Sequence, residues 1–453
     1  MKADPRRTAM NILDTLENGR RTLDDVVGDL LNRRALPEKR DRALTTALVY
    51  GVLRRRLTLD WVIGQFSDTA FDKIDPVVRS ALRLGLYQLL FMDRIPEYAA
   101  VNASVNLVKS AVGPRPANFV NGVLRTAVRR RQNLVYPDQA ADPVKWLSVT
   151  RSFPEWMIRR WIIRYGPADT VRLCDTINRV PPITVRVNTL KSDYARVREA
   201  LGREAARVAD GLYAPDAISL EAPKESIEDL RGFQDGWFQV QDEAAQLACL
   251  LLNPRPGERI LDACAGLGGK TGYLAQLMKN RGTITAIDAD GRKLEALAGE
   301  MERLGATMVA TRRIDWLNNR SRQVLERFDG ILADCPCSGM GVLRRNPDIK
   351  WSASARQLAR HRDRQAGLLS ALADLVRPGG CLVYVVCSTE PEENDQVIDL
   401  FLKRHSDFMV DLAPAGPAAA ARRFIDRQGF FRTMVYPHAV DGFFGVRLKK
   451  KRS

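Results

Sequence analysis

The sequence predicts an α/β protein with a doubly wound, largely parallel C-terminal sheet, preceded by an all-α region and a small α/β module. Three observations support this prediction. Apolar residues recur at helical spacing over about the first 130 residues, helices and strands mix up to about residue 235, and strands then alternate regularly with helices. The chain has 453 residues, more than one domain usually holds, so two or three domains are expected.

The N-terminal region is predicted to be helical. Apolar residues recur every three or four positions in EKRDRALTTALVYGVLRRRLTLDWVIGQF and in DPVVRSALRLGLYQLLFM. The second stretch begins with Asp-Pro, which is typical of a helix start because aspartate caps free N–H groups and proline suits the first turn. A last helix, PANFVNGVLRTAVRRR, ends in a basic run that either complements the helix dipole or faces a polyanion: Arg125, Arg129, Arg130 and Arg131.

The middle of the chain is predicted to be a connector followed by the α/β module. Residues 132 to 150 show no clear periodicity and are predicted to form the connector. Beyond them, PEWMIRRWIIRYG and ADTVRLCDTINR have helical spacing, ITVRVNTL is typical of a strand, and SDYARVREALG is typical of a helix.

From about residue 236 the alternation becomes regular, which predicts parallel strands joined by helices. The five predicted strands are ERILDAC, GTITAID, TMVATRRI, RFDGILADC and PGGCLVYVVCS. Near the end, GFFRTMVYP and DGFFGVRLKK are typical of a hairpin, so antiparallel strands are expected at one edge of the sheet.

Charge and cysteine usage narrow the class of protein. The net charge of +16 and pI near 9.7 indicate a polyanionic partner such as RNA, because phosphates favour dispersed cations. No apolar run approaches the roughly 20 residues of a membrane helix, and the N-terminus lacks a signal-peptide core, so a cytoplasmic protein with no membrane contact is expected. Seven scattered cysteines and three histidines argue against disulfides and against a metal site.

The glycine-rich stretch DACAGLGGKTG lies where a strand meets a helix and predicts a ligand-binding turn. It lacks the glycine that a Walker A loop needs at position 264 and the one that a dinucleotide fingerprint needs at position 271. S-adenosyl-L-methionine, which has no pyrophosphate, fits this turn. Asp288 follows about 20 residues later, the usual distance for an acid that binds ribose hydroxyls.

Four polar residues fall at or just after the ends of predicted parallel strands: Asp288, Asp315, Asp334 and Cys387. Ligands bind at the carboxyl ends of such strands, so these residues are expected to converge on one crevice with the glycine turn. A thiol beside S-adenosyl-L-methionine suits cytosine C5 methylation, because thiolate addition at C6 makes C5 nucleophilic. Cys249 and Cys381 lie in apolar runs and are predicted to be core residues.

The ordered motifs CAGLGGKT, AIDAD, ADCPCSGMGVLRRNPDIKW and VVCSTEPEEN resemble those of the RNA (cytosine-5)-methyltransferases. Over its full length the chain is similar to the bacterial 16S ribosomal RNA (cytosine-C5)-methyltransferase B family. The resemblance implies an all-α NusB-like RNA-binding domain (1-135), a small α/β RNA-binding subdomain (150-235) and a Rossmann-like S-adenosylmethionine-dependent methyltransferase domain (236-450).

The resemblance also implies roles for residues. Cys387 is the expected nucleophile, Cys337 the expected product-release thiol, and Asp334 a catalytic residue. The expected cofactor-binding residues are Cys264, Ala265, Gly266, Leu267, Gly268, Gly269, Lys270, Asp288, Asp315 and Asp334. The chain departs from the family pattern at Gly266-Leu267, where a proline is missing, and at Val386, where a threonine is usual.

The leading hypothesis is therefore a monomeric enzyme that methylates C5 of a cytosine in 16S ribosomal RNA. A transfer RNA cytosine-5 methyltransferase and a non-catalytic RNA-binding ribosome-assembly factor are the alternatives. DNA is disfavoured as substrate, because in the DNA enzymes the Pro-Cys thiol is the nucleophile and a residue like Cys387 is not needed. Arg344, Arg345 and Lys350 are expected either to contact RNA or to lie in a solvated loop.

Overall fold

The computed structural model describes residues 4–17, 19, 21–30, 36–317, 326–412 and 419–452. The chain divides into two compact units, Met1–Val180 with Leu343–Ser352, and Pro181–Val342 with Ala353–Ser453. The predicted boundaries at residues 135, 150 and 235 stay a prediction. Among the described residues, no helix combines the length and apolarity that a membrane crossing requires.

The described secondary structure follows the predicted order. The helices are α1 Pro5–Glu17, α2 Leu23–Leu30, α3 Lys39–Phe66, α4 Pro76–Phe91, α5 Glu97–Ala111, α6 Pro114–Arg130, α7 Pro143–Arg151, α8 Glu155–Ile177, α9 Tyr194–Glu204, α10 Arg231–Gln234, α11 Glu243–Leu252, α12 Gly269–Leu277, α13 Gly291–Leu304, α14 Ile349–Ser352, α15 Ala355–Ala373, α16 Asp395–Arg404, α17 Ala419–Arg422 and α18 Val435–His438. The strands are β1 Ile183–Val187, β2 Ala205–Asp210, β3 Ala217–Pro223, β4 Phe238–Val240, β5 Arg259–Asp262, β6 Thr283–Asp288, β7 Val309–Arg313, β8 Phe328–Asp334, β9 Val376–Val386, β10 Phe408–Val410, β11 Phe430–Arg432 and β12 Phe444–Lys450.

Amphipathic helices build the first unit, as predicted. The Asp75 side chain caps α4 by accepting hydrogen bonds from the N–H groups of Val77 and Val78, with Pro76 in the first turn. The apolar faces of α1 to α6 then pack on one another, because each buries its hydrophobic stripe. Buried residues of this core include Ile12, Val49, Val62, Leu82, Leu86, Val120 and Leu124.

The predicted connector at residues 132 to 150 is partly wrong, because helix α7 begins within it. Asp142 caps this helix by accepting a hydrogen bond of 2.9 Å from the N–H of Lys145, and Pro143 occupies the first turn. This is the same Asp-Pro start as in α4. The apolar positions of the short helix are too few to show a clear period in the sequence.

The segment 343–352 belongs to the first unit and is largely buried or half-buried. The Lys350 side chain is 0% exposed, and its ammonium donates hydrogen bonds to the carbonyls of Arg54 and Ser152 and to Asn178 Oδ1. Arg344 is only 5% exposed. The expectation that Arg344 and Lys350 contact RNA or lie in a solvated loop is therefore wrong.

The described residues of the second unit contain two sheets. The smaller sheet has the order β2-β3-β1-β4, and every pairing is antiparallel. Helix α9 packs on β2 and β3, so this sheet forms part of the predicted small α/β module. Helix α8, which the sequence analysis included in the same module, falls in the first compact unit. The sequence analysis identified only β1 in this sheet, because β2 and β3 are half-exposed and most of their apolar residues are alanines, which do not favour strands.

The larger sheet has the order β10-β12-β9-β8-β5-β6-β7, with β11 paired to β12. Strands β5 to β9 are parallel, whereas β12 runs antiparallel to β9 and to β11. Neighbouring residues of β9 lie in separate cores: Val383 and Val385 in one, Leu382 and Tyr384 in the other. Both faces of the sheet are therefore covered, which confirms the predicted doubly wound fold and its C-terminal hairpin.

Candidate active site

The carboxyl ends of the parallel strands carry the residues that the sequence singled out. Asp288 is the last residue of β6, Asp334 is the last residue of β8, and Cys387 follows β9 directly. Asp315 lies two residues beyond β7 and is exposed, with its carboxylate accepting a hydrogen bond of 3.0 Å from the N–H of Leu317. Because these strands are parallel, all four residues lie at one edge of the sheet.

The glycine turn between β5 and α12 is tied to the neighbouring strand. The Ala265 N–H donates to the carbonyl of Ile287 at 2.8 Å, and the Gly266 N–H donates to Asp288 Oδ2 at 3.0 Å. Gly268 has a φ of 87°, and a Cβ there would lie 2.8 Å from Leu297 Cγ. A side chain at this position would both strain the backbone and clash with helix α13.

The other side of this turn is open. Leu267 is 62% exposed, and a Cβ on Gly266 or Gly269 would meet no atom within 4 Å. Helix α12 begins at Gly269 without a side-chain cap, so its first N–H groups form a site for an anionic group. A depression of about 580 Å³ next to Asp288 is lined by Ala289, Asp290, Gly291, Arg292, Glu295 and Arg313.

Lys270 and Asp334 form an ion pair at the centre of this edge. Lys270 Nζ lies 2.5 Å from Asp334 Oδ2 and 5.3 Å from the centre of the Phe443 ring. Burial disfavours the charged lysine, but the Asp334 carboxylate, together with the nearby Cys249 and Cys387, outweighs burial and raises the pKa of Lys270. The sequence placed both residues at the site without predicting that they pair.

Asp262, at the end of β5, is a buried acid that the sequence analysis gave no role. Its Oδ2 accepts a hydrogen bond of 2.7 Å from Thr271 Oγ1 in helix α12. Burial raises the pKa of Asp262 to about 7, and the nearby Asp334 carboxylate also raises it. The only signal in the sequence was its position directly before the glycine turn.

The two thiols with predicted roles are in contact. Cys337 Sγ lies 3.2 Å from Cys387 Sγ, and both side chains are partly exposed. Cys335 instead points away: it is buried, its N–H donates to the carbonyl of Val385 at 3.0 Å, and its thiol is hydrogen-bonded to Cys264. Among the described residues, no group of histidine, cysteine, aspartate and glutamate side chains could hold a metal ion.

The environment of Cys337 favours its protonated form. The hydrogen bond to Cys387 raises the pKa of Cys337 well above its usual value, and burial and the charges of Cys387 and Glu393 add to this rise.

A buried network behind the thiols was missed by the sequence analysis. Glu393 is 0% exposed and accepts hydrogen bonds from Ser338 and Ser388, the residues that directly follow Cys337 and Cys387. Gln365 also donates to Glu393, at 3.2 Å. The signal present in the sequence was a serine after each cysteine and an acidic run, EPEE, close behind the second one.

Three family models match consecutive parts of the chain. The model of the 16S rRNA methyltransferase RsmB/F matches residues 249–449. The model of the NusB family matches residues 3–129, and that of the ferredoxin-like domain of RsmF/B-like methyltransferases matches residues 153–226.

Relatives match almost the whole chain. The probable ribosomal RNA small subunit methyltransferase B of Bacillus subtilis is 35% identical over 99% of this chain and 99% of its own length. The ribosomal RNA small subunit methyltransferase B of Pseudomonas syringae is 33% identical over 99% of this chain and 97% of its own. The crystal structure of PH0851 superposes with a TM-score of 0.82 at 26% identity, covering 99% of both chains.

Proposed function

Because this chain belongs to the 16S rRNA methyltransferase RsmB/F family, we propose that it transfers a methyl group from S-adenosyl-L-methionine to C5 of a cytosine in 16S ribosomal RNA. The observation that carries the proposal is the contact between Cys337 and Cys387, 3.2 Å apart, at the strand edge that also holds the glycine turn. Covalent catalysis at cytosine needs one thiol to add and one group to handle the proton of the adduct.

The residues of the turn fit the cofactor. One carboxylate oxygen of Asp288 accepts a hydrogen bond from the Gly266 N–H, and the other accepts one from the Asp290 N–H. Each oxygen keeps a lone pair that can accept from a ribose hydroxyl. The uncapped first turn of α12 suits the carboxylate of the methionine part. When bound, S-adenosyl-L-methionine supplies the methyl group as an electrophile. Cys264 to Lys270, Asp288, Asp315 and Asp334 are the proposed binding residues.

Cys387 is the proposed nucleophile. Its thiolate adds to C6 of cytosine, forming a carbon–sulfur bond and pushing the C5–C6 electron pair toward C5 and the N3 end of the ring, so that C5 takes up the methyl group. The Lys270–Asp334 pair supports this step, because the ammonium matches the acceptor N3 and the carboxylate matches the donor N4. The target base must leave its stack to reach this edge.

Cys337 is the proposed release residue. Once Cys387 is bonded to carbon it no longer holds the hydrogen bond of a thiolate, so the main cause of the raised pKa of Cys337 is gone. Cys337 then loses its proton to solvent and takes the proton from C5. The electrons of that C–H bond restore the C5–C6 double bond, the C6–sulfur bond breaks, and Cys387 leaves as a thiolate.

The test compares wild type, Cys387→Ala and Cys337→Ala, each incubated with labelled S-adenosyl-L-methionine and 16S RNA. We expect no methyl transfer with Cys387→Ala, because the bond to C6 cannot form. With Cys337→Ala we expect a protein–RNA adduct that persists in a denaturing gel, because the last proton transfer is blocked. Cys249→Ala, at a thiol buried in the core, is the control.

Two results would contradict the proposal. Near-normal transfer by Cys387→Ala would remove that thiol from the reaction, and a stable adduct in Cys387→Ala but not in Cys337→Ala would exchange the two roles. Methyl transfer to transfer RNA, measured under the same conditions, tests the alternative substrate against 16S RNA.

A further inference from the structure

Glu393 is the buried last residue of a 3₁₀ turn, Pro391–Glu393, a few residues beyond the proposed nucleophile Cys387. Four donors face its two oxygens. The Ser338 N–H and Gln365 Nε2 donate to Oε1 at 2.8 and 3.2 Å, and the hydroxyls of Ser338 and Ser388 donate to Oε2 at 2.5 Å each. This set of donors is the one that an ionised carboxylate requires.

The two serines connect this carboxylate to both thiols. Ser338 directly follows Cys337, and Ser388 directly follows Cys387, so one side chain holds the backbone next to each reacting group. Each serine hydroxyl also accepts a backbone N–H two residues further on, from Met340 at 3.4 Å and from Glu390 at 3.3 Å. The donors are therefore oriented toward Glu393 and cannot turn away without losing a second bond.

Other contacts fix Glu393 itself. The Tyr384 hydroxyl, buried on β9, donates to the Glu393 carbonyl at 2.7 Å. Gln365, on helix α15, donates both to Glu393 and to the carbonyl of Pro336, just before Cys337. Burying a carboxylate this completely costs free energy. A position that served only to fill the core would therefore hold an apolar residue.

We propose that Glu393 is a positioning residue that holds the loops of Cys337 and Cys387 at the contact distance the reaction needs and places a fixed negative charge beside the thiol pair. It touches neither the base nor the cofactor and acts through Ser338 and Ser388. The inference rests on the proposed function, because it concerns the same two thiols.

The negative charge of Glu393 should raise the pKa of the nearby Cys337 thiol. A negative charge near Cys337 disfavours its thiolate, so Glu393 helps to keep this thiol protonated until Cys387 has attacked. Without that charge, Cys337 would ionise at lower pH. A general loss of packing would also expose thiols elsewhere in the core, such as Cys249, whereas loss of this charge alone would leave them buried.

The first experiment measures thiol ionisation in the full chain without RNA or cofactor. Wild type, Glu393→Gln and Glu393→Asp are alkylated with iodoacetamide from pH 6 to 11, and the peptide carrying Cys337 is quantified by mass spectrometry. We expect the midpoint of Cys337 alkylation to fall by about one pH unit in Glu393→Gln. Glu393→Asp, which keeps the charge, should stay near wild type.

The second experiment measures methyl transfer to 16S RNA by the same proteins. Glu393→Gln should lower kcat by roughly 10- to 100-fold, because misplacing reacting groups by a fraction of an ångström has effects of this size. The KM for S-adenosyl-L-methionine should change little, since the cofactor residues lie elsewhere. Glu392→Gln makes the same chemical change one residue earlier and should keep both values.

The outcomes separate this inference from the proposed function. If wild type transfers no methyl group to 16S RNA, the proposed function fails while the alkylation result still decides the role of Glu393. An unchanged Cys337 midpoint together with an unchanged kcat in Glu393→Gln would overturn the inference. If Glu393→Gln does not fold, Ser338→Ala with Ser388→Ala decides: normal kcat in that double variant overturns the inference, and a loss supports it.

Discussion

At the residue scale, two buried carboxylates of the second unit are held in opposite ways. Glu393 accepts four hydrogen bonds, from Ser338, Ser388 and Gln365. Asp262 receives one side-chain hydrogen bond, from Thr271, and lies near the negative Asp334. Burial therefore dominates at Asp262 and raises its pKa to about 7, so this acid exchanges a proton close to neutral pH.

This assignment predicts how stability depends on pH. The folded pKa of Asp262, about 7, lies above its unfolded value of 3.8, so between these pH values the folded chain binds more protons and loses stability as pH rises. Asp262→Asn keeps the acceptor for Thr271 and removes the titration. We expect the free energy of unfolding of Asp262→Asn, relative to wild type, to rise by about 1 to 4 kcal/mol between pH 4 and pH 8.

Urea unfolding at pH 4, 6 and 8 measures this difference, with the exposed Asp315→Asn as the control for loss of one negative charge. A constant difference between Asp262→Asn and wild type across this range would show that Asp262 does not titrate there.

At the scale of helices and strands, the sequence predicted those with strong local patterns. Helix α3 and the parallel strands were identified because period and burial agree along them. Helix α7 was missed because only its Asp142-Pro143 start is distinctive, and β2 and β3 were missed because they are half-exposed and most of their apolar residues are alanines.

The candidate site was predictable only in part, for a related reason. Asp288, Asp334 and Cys387 could be placed because strand ends are visible in the sequence and parallel strands share one edge. The contacts within the site could not be predicted, because they join residues far apart in the sequence. Lys270 and Asp334 are 64 positions apart, and Ser338 and Glu393 are 55 positions apart. Burial of Lys350 was equally hidden, because a lysine in a basic run is usually solvated.

The buried Lys350 side chain on helix α14 leads to a prediction about the stability of the first unit. Its amine is the donor to three oxygens, from Arg54, Ser152 and Asn178, and it lies 3.6 Å from the centre of the Phe153 ring. Lys350→Met keeps an unbranched side chain one atom shorter, without the amine, and leaves those oxygens without this donor. We expect a loss of about 1 to 3 kcal/mol in the free energy of unfolding.

Relief of the buried charge opposes this loss in part. Burial lowers the pKa of Lys350 well below its usual value, so the expected loss is what remains once the cost of burying the charge is removed. Thermal and urea unfolding measure the effect, with the exposed Lys109→Met expected within about 0.5 kcal/mol of wild type. A Lys350→Met protein as stable as wild type would mean that the three oxygens find other donors.

At the scale of the whole molecule, the net charge of +16 sets how strongly a polyanion is held, whereas the chemistry is set by a few residues. The basic end of α6 is one source of this charge. Arg131 pairs with Glu97 at 2.7 Å, whereas Arg125 and Arg129 are exposed and donate to the neutral side chains of Asn121 and Thr126, with no ion pair among the described residues. With the exposed Arg130, they present cations that an RNA backbone can reach.

Neutralising this end of α6 should therefore weaken RNA binding in a salt-dependent way. Each phosphate contact releases counterions, so the triple variant Arg125→Gln, Arg129→Gln, Arg130→Gln should reduce the slope of log affinity against log salt by about 2 to 3. Filter binding of 16S RNA at KCl concentrations from about 50 to 200 mM measures this slope. The control Arg159→Gln, Arg172→Gln removes exposed arginines that already pair with Glu155 and Asp169, and should change the slope less. An equal slope for the triple variant and wild type would place the RNA away from α6, and the remaining arginines would have to account for its affinity.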